Sequence, residues 1–513
     1  MFSLVHEPRR APRRVIVVCA AAGALALLLA GCTSPPNSDA GSESAAQQAA
    51  FSEYYDQEIS WGECNDDFGI SADAAKRMQE AEMPIDRFEC GHVSAPIDWA
   101  DPENSESISL AVNRLPAEAE TSSGALLVNP GGPGGSGFDL ALSMSTMPEF
   151  SRVTQQYDLV GFDPRGIARS TPIECDIDSN IPEVQISLCA DENPLALTMG
   201  TSQVARDMDL LRHLSSDPEL HYLGYSYGTM LGATYSTIFP ERVGRMVLDS
   251  AESAHWAGLE GSFDQRVAIV EATETMLDQC EADFALGRCP LPDATTRSAQ
   301  IAELDEQPLV ATDGFEVDSS GMYTFLTSAL YGGAASRAIS LDMAGSALSG
   351  EQDGIDAIAQ VVGSGGANVG LAGTIVRCHS FPADADVPGL IAHMKEVGVP
   401  EELGGPEITD EVLREFIDLG CDALPVSGDD ITDTFTNAGD STILVMGVTG
   451  DHATPYTGAQ QLTEELGNAR LLTLEGQGHG ASFANRSTCA DAAATQYLLK
   501  GELPAEGTVC TDD

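Results

Sequence analysis

Short apolar runs that each give way to Gly or Asp turns constrain this chain more than any other feature: Gly124–Val128, Tyr157–Phe162, Leu220–Gly224, Arg245–Leu248, Thr442–Val448 and Arg470–Leu474. Brief runs rich in Val, Leu and Ile, with no polar alternation, read as strands buried on both faces, as in a parallel sheet. Helical patterns lie between several of them. In Gln203–Leu214, for example, Val204, Met208, Leu211 and Leu214 share one face. Strand–helix alternation predicts an α/β fold with a mostly parallel central sheet and helices on both faces. The rhythm fails between Leu248 and Thr442, where Phe263–Ala282 and Met322–Leu348 read as helices. An inserted, mainly helical cap over 255–437 is therefore expected, dividing a core made of 61–254 and 438–513. A chain of 513 residues is long enough for both.

The ends and the cysteines point to export. Arg9, Arg10, Arg13 and Arg14 precede an uncharged run from Val15 to Ala30, shorter than the ~20 residues a spanning helix needs and typical of a signal sequence. It closes on Leu29-Ala30-Gly31-Cys32, with small residues before a cysteine, as at a bacterial lipoprotein cleavage site. The expectation is a signal peptide over 1–31, lipid on Cys32, a flexible tether over 32–60, and attachment to the outer face of the cell membrane. Arg13-Arg14 also resembles a twin-arginine signal, a weak feature by itself. Of 12 cysteines, Cys19 leaves with the signal and Cys32 is lipidated, so an even number remains. Pairing in sequence order gives Cys64–Cys90, Cys175–Cys189, Cys280–Cys289, Cys378–Cys421 and Cys489–Cys510, one of many connectivities the spacing permits. No C-x-x-C pair occurs, which argues against zinc. A formal charge of −54 argues against nucleic acid as a partner.

Gly224-Tyr-Ser-Tyr-Gly228 follows an apolar strand and precedes an apolar helix, Met230–Phe239. That is the strand–turn–helix setting of a nucleophile elbow, with Ser226 as the candidate nucleophile. Asn129-Pro-Gly-Gly-Pro-Gly-Gly-Ser-Gly137 follows another strand. Its glycines suit a loop that turns backbone N–H groups toward an oxyanion, from Gly132 in partnership with the N–H of Tyr227. The same letters match a dinucleotide fingerprint, but two prolines interrupt the turn. After Ser226 the histidines are His255, His379, His393, His452 and His479. His479, just past the last strand, is the expected base. Asp451 is the expected acid, with Thr454 in support and Asp249 as the rival position. Asp163 and Arg165 are expected to pair beneath the glycine loop. Asp176 and Asp178 mimic the start of a calcium loop, but Ile181 and Ser187 replace its essential Gly and Glu. No metal or cofactor is required.

Together these segments resemble the actinobacterial tripeptidyl aminopeptidase family of secreted α/β-hydrolases, related to proline iminopeptidases. The likeness runs from Trp61-Gly-Glu-Cys64, Cys90 and Ala95-Pro-Ile-Asp98 through the glycine loop, Asp163-Pro-Arg-Gly166 and the elbow. It continues to Asp451-x-x-Thr-Pro455, Gly478-His-Gly480 and the final pair Cys489 and Cys510. It implies a Ser226–Asp451–His479 triad, a cap over the site, a TAP-like C-terminal region, and release of tripeptides or prolyl residues from peptides with free N-termini. Two departures stand out: Ala168 replaces a common glycine, and Cys421-Asp-Ala-Leu-Pro425 lacks a tryptophan often found before that proline. Two other readings stay open: an esterase or lipase on the same triad, and a non-catalytic binding lipoprotein on a hydrolase scaffold.

Overall fold

The computed structural model describes residues 42–513 except 176, 178–180, 285–286, 364–369, 382–383, 385, 417–420, 422–423 and 425–433. The expected signal segment and Cys32 lie outside the described residues, as do Asp176 and Asp178 of the calcium-like stretch and most of Cys421–Pro425.

The six apolar runs form the middle of one sheet: β4 Ala125–Asn129, β5 Asp158–Phe162, β6 Leu220–Tyr225, β7 Val243–Asp249, β10 Ile443–Gly450 and β11 Ala469–Gln477. At one edge stand β1 Gly62–Glu63, β2 Glu89–Pro96 and β3 Ser107–Leu115; at the other stands β12 Val509–Thr511. The order is β1-β2-β3-β5-β4-β6-β7-β10-β11-β12. Pairings β1–β2, β2–β3 and β3–β5 are antiparallel, and the rest are parallel. Successive side chains of a strand enter different cores. In β4, Ala125 and Leu127 join one apolar cluster while Leu126 and Val128 join the other. Both faces are therefore covered, which is why the strands read as continuous apolar runs.

Between β7 and β10 the chain is mainly helical, with a small hairpin of β8 Leu309–Val310 and β9 Glu316–Val317. Phe263–Ala282 lies within one helix, Leu259–Phe284. Met322–Leu348 is not continuous: helices Ser319–Ser328 and Ala334–Leu348 are separated at Tyr331-Gly332-Gly333, where paired glycines favour a break. The insertion has apolar clusters of its own, one around Ile301, Met322 and Ile358 and another around Phe263, Leu390 and Phe416. Its helix Gly370–Ser380 instead seats Ile375 and Val376 in the sheet's core.

The tether expectation extends too far. Helices Glu43–Ala50 and Ser52–Tyr55 pack onto the body. Phe51, Tyr54 and Tyr55 surround the ring of Trp99, and the Ser44 hydroxyl donates to Asp209 at 3.0 Å. Three aromatic contacts outweigh a composition of Ser, Ala and Gln that suggests a linker. Disulfides join Cys64–Cys90, Cys175–Cys189, Cys280–Cys289, Cys378–Cys421 and Cys489–Cys510. Among the described residues no helix is long and apolar enough to cross a membrane, and no group of three or more His, Cys, Asp or Glu converges as metal ligands would.

Candidate active site

β6 runs directly into the helix Tyr227–Ile238, with Ser226 at the joint. Its φ of 55° and ψ of −130° are rare for an L-residue, and strain of this kind is held only where the surroundings enforce it. They do so here. The Ser226 N–H donates to the Asp249 carbonyl at 3.0 Å, while the Ser226 carbonyl accepts from the N–H and hydroxyl of Thr229 at 2.8 and 2.7 Å. A Cβ at Gly224 would stand 2.5 Å from the Gly228 carbonyl oxygen, so the turn admits no side chain there. The geometry is that of a nucleophile elbow.

β10 and β11 are neighbours in the sheet, and the segments leaving their ends bring Asp451 and His479 together. His479 Nδ1 lies 2.9 and 3.1 Å from the two Asp451 carboxylate oxygens. Asp451 Oδ1 also accepts the N–H groups of Ala453 and Thr454 at 3.0 Å each, which fixes the carboxylate. Thr454 Oγ1 approaches His479 Nδ1 at 3.4 Å. The Asp451 carboxylate is fully buried and the imidazole is 14% exposed. Burial alone would push the imidazole pKa down; attraction and hydrogen bonding from Asp451, with Asp249 adding to them, reverse this and raise it. Burial likewise opposes the charged form of Asp451, but His479, the Thr454 N–H and the Ser250 hydroxyl hold it below the usual carboxylate range.

Asp249 has a different task. Its carboxylate accepts from the Ala481 and Ser482 N–H groups at 2.8 and 2.7 Å and from the Ser482 hydroxyl at 2.5 Å. Ser250 Oγ accepts the Gly480 N–H at 2.7 Å. The end of β7 thus clamps the loop that carries His479. The other histidines stand apart from Asp451's carboxylate: His379 bonds the Leu197 carbonyl, His393 bonds Asp264 at 2.6 Å, and His255 lines a cavity between Pro455 and the start of the insertion. His452 is buried with neither ring nitrogen hydrogen-bonded among the described residues, and burial drives its pKa down to about 4. It is a neutral ring between His479 and Tyr331, at centroid distances of 6.1 and 4.5 Å. Sequence reading missed Tyr331. It sits at the glycine break in the insertion and turns its ring edge-on to His479 at 5.7 Å.

The glycine loop leaves β4 and lies against the elbow. Asn129 Oδ1 accepts the Gly131 N–H at 2.8 Å. A Cβ on Gly131 would stand 2.8 Å from the Tyr227 nitrogen and 3.0 Å from Ser226 Cβ, so loop and elbow are in contact. Gly132 follows, with a φ of 116° that glycine adopts readily. The Tyr227 hydroxyl points elsewhere, to Thr201 Oγ1 at 2.5 Å. The expected Asp163–Arg165 pair does not form. Asp163 bonds the Ser136 hydroxyl and Arg169, at 3.2 Å from its Nη1, and so still braces the loop. Arg165 turns to the helix Thr201–Leu214, where it makes a fully buried bidentate pair with Asp207 at 2.7 and 2.8 Å.

With the site in view, similarity to known proteins can be stated. A family model described as alpha/beta hydrolase fold matches residues 124–269, and one described as TAP-like protein matches 408–510. Tripeptidyl aminopeptidase of Streptomyces lividans is 29% identical, over 88% of this chain and 86% of its own. Carboxylesterase B of Mycobacterium tuberculosis is 30% identical over 94% of this chain and 96% of its own. This chain belongs to the tripeptidyl aminopeptidase family of α/β-hydrolases. Serine protease Hip1 of Mycobacterium tuberculosis is also similar, 29% identical over 82% of this chain and 87% of its own. As a member of this family the chain is a serine hydrolase.

Proposed function

We propose that this serine hydrolase is an exported aminopeptidase that releases short peptides, tripeptides or prolyl residues, from free N-termini. The observation that carries the reading is the bidentate approach of a buried Asp451 to His479 Nδ1, on a loop clamped by Asp249 and Ser250. Bonded in this way, the imidazole keeps Nδ1 protonated and leaves Nε2 as the basic nitrogen. In the forward step Ser226 Oγ bonds to the peptide carbonyl carbon and its proton passes to His479 Nε2. The N–H groups of Gly132 and Tyr227 receive the oxyanion. The C–N bond then breaks, and the proton goes from Nε2 to the departing amine. Water, deprotonated by the same nitrogen, bonds to the acyl carbon; the bond to Ser226 Oγ breaks, and the proton passes from Nε2 back to Oγ. Thr454 supports the acid motif. No step calls on a metal or cofactor.

The insertion, taken as a cap over 255–437, would decide what reaches the triad. Tyr331 is the cap side chain beside His479, which supports that reading. We further infer a lipid anchor on Cys32, with the enzyme held at the outer face of the membrane. An esterase is the second reading, supported by the relative named Carboxylesterase B. Kinetics on tripeptide nitroanilides with free and acetylated N-termini, beside nitrophenyl esters, separate the two. An aminopeptidase cleaves the free peptide far faster than the acetylated one. A protein that hydrolyses only the esters is not a peptidase. Ser226→Ala should abolish all of it together with fluorophosphonate labelling.

A further inference from the structure

A short segment of the insertion, residues 330–337, closes on the loop that carries the base. Tyr331 stands edge-on to His479 and is still 48% exposed, so its ring keeps an open side. Gly478, the residue before His479, is enclosed by the same segment. A Cβ placed on it would meet the Leu330 carbonyl oxygen at 3.3 Å, Arg486 Nη1 at 3.5 Å and Arg337 Nη1 at 3.6 Å. Two guanidinium groups thus flank the residue next to the base.

The two are not equivalent. Arg486 is satisfied: it pairs with both Asp512 oxygens at 2.7 and 2.9 Å and donates to the Gly480 and Gln477 carbonyls at 3.1 and 2.9 Å. Arg337 has one hydrogen bond among the described residues, to that same Gln477 carbonyl at a long 3.4 Å. No carboxylate stands within ion-pair distance of it among the described residues. Burial, and after it repulsion from Arg486, lower its pKa, and the attraction of Asp512 does not offset them. A guanidinium offers a planar fork of N–H donors that matches a carboxylate, and most of this fork is unused by the protein.

The field of Arg337 also reaches the site. Burial is the main cause of the low His452 pKa, and the charges of His479 and Arg337 add to it against Asp451. His452 in turn lies edge-on to Tyr331 at 4.5 Å. Arg337, Tyr331 and the base therefore belong to one cluster. The chain as a whole is hostile to anions, with 79 acidic residues against 25 basic ones. A substrate carboxylate is repelled over most of such a surface and needs a local cation to be held.

We propose that Arg337 holds the free carboxylate of the departing peptide, with Tyr331 lining its path, so that the enzyme favours short peptides ending one or two residues beyond the scissile bond. Departure has a direction: the amine that takes the proton from His479 Nε2 leaves past the base, where the insertion supplies these two side chains. An extended chain advances about 3.3–3.6 Å per residue, so only a carboxylate one or two residues on stays beside the base. This rests on the peptidase reading and deepens it by naming what the substrate carries at its other end.

The test reads one ratio: kcat/KM for a peptide with a free C-terminal carboxylate over kcat/KM for the same peptide as its amide. The substrates are tetra- and pentapeptides of alanine, and the proteins are the full chain and Arg337→Gln, which removes the charge and keeps an N–H donor for the Gln477 carbonyl. A ratio within one protein does not depend on how much of it is folded. Wild type should favour the carboxylate by about 10–100-fold at one length or both, mostly through KM, as a charge-assisted hydrogen bond would. In Arg337→Gln the ratio should fall to within about twofold of unity. A wild-type ratio near unity, or a ratio that survives in Arg337→Gln, overturns the proposal. Equal loss on both substrates does the same, since it leaves the ratio unmoved and makes Arg337 a brace for the His479 loop. If Arg337→Gln does not fold, Arg337→Lys carries the test: without the fork the ratio must drop, and an unchanged ratio overturns the proposal. A wild-type protein that cuts no peptide defeats the peptidase reading alone. Hydrolysis of 4-acetoxybenzoate against 4-acetoxybenzamide then tests Arg337 separately, with the ratio in Arg337→Gln as its baseline.

Discussion

Replacing Gly131 by alanine puts a methyl group where the loop after β4 meets the elbow. The new Cβ would lie 2.4 Å from the Tyr225 carbonyl oxygen, 2.8 Å from the Tyr227 nitrogen and 3.0 Å from Ser226 Cβ. Contacts to carbon settle at about 3.5–4.0 Å, so loop and elbow must part by roughly 1 Å or more. The backbone of Gly131 has a φ of 87°, which adds about 1–2 kcal/mol of strain for any side chain. With overpacking of about 1–3 kcal/mol, the total loss of stability is about 2–5 kcal/mol. The larger effect should be on rate. The displaced groups are the N–H of Tyr227 and the loop carrying Gly132, and misplacing one oxyanion donor costs about 10²–10³ in kcat. The assay is steady-state kinetics on a tripeptide nitroanilide and on nitrophenyl acetate, with thermal unfolding alongside. kcat should fall at least about 100-fold on both substrates while KM on the anilide moves little, because the donors act on the transition state. A variant with a lowered thermal midpoint and a kcat within about threefold of wild type would refute the reasoning, leaving the loop a purely structural element.

Other changes probe the site and its support. Asp451→Asn should lower kcat by about 10⁴, since the amide no longer enforces the required tautomer. Asp451 raises the His479 pKa, and catalysis needs the neutral imidazole, so kcat/KM rises with pH through that pKa. Without the carboxylate the acidic limb of the pH profile should move to lower pH; an unmoved limb would mean that another group governs it. Asp207→Ala strands the buried Arg165 guanidinium and should cost about 3–5 kcal/mol in a denaturant titration. Ala168 has a φ of 46°, so Ala168→Gly relieves about 1–2 kcal/mol of strain against about 0.4–1 kcal/mol of extra unfolded-chain entropy. A net gain of about 0.5–1 kcal/mol should appear as a higher denaturant midpoint at unchanged kcat.

The centre of the sheet was legible because its strands are buried on both faces, and their composition says so without reference to anything distant. The edge strands β2 and β3 were not. Each mixes buried with exposed positions, and β2 carries Pro96 at its end, which blurs both the alternating and the continuous pattern. Ser226 could be singled out as a candidate because an elbow is a local arrangement. Asp451 and His479 could be placed because each follows its strand directly. The partners of Asp163 and Arg165 could not be read, since Asp207 comes from a helix remote in sequence and adjacency suggested the wrong pair. Tyr331 depends wholly on tertiary packing: it is an aromatic residue in a segment that read as helix.

The two helices at the start of the described chain have a further consequence. Glu43 bonds Arg206 at 2.9 Å, and Phe51, Tyr54 and Tyr55 grip Trp99, so these two helices belong to the body of the enzyme. If Cys32 carries the lipid, about ten residues separate it from the first of these helices, and such a stretch spans at most about 35 Å. The attachment point on the globule is also fixed, on the flank formed by the helix Thr201–Leu214. An enzyme moored in this way turns a restricted side toward the membrane and works within about one protein diameter of it. Its working concentration is then set by the area of membrane and not by the volume outside the cell.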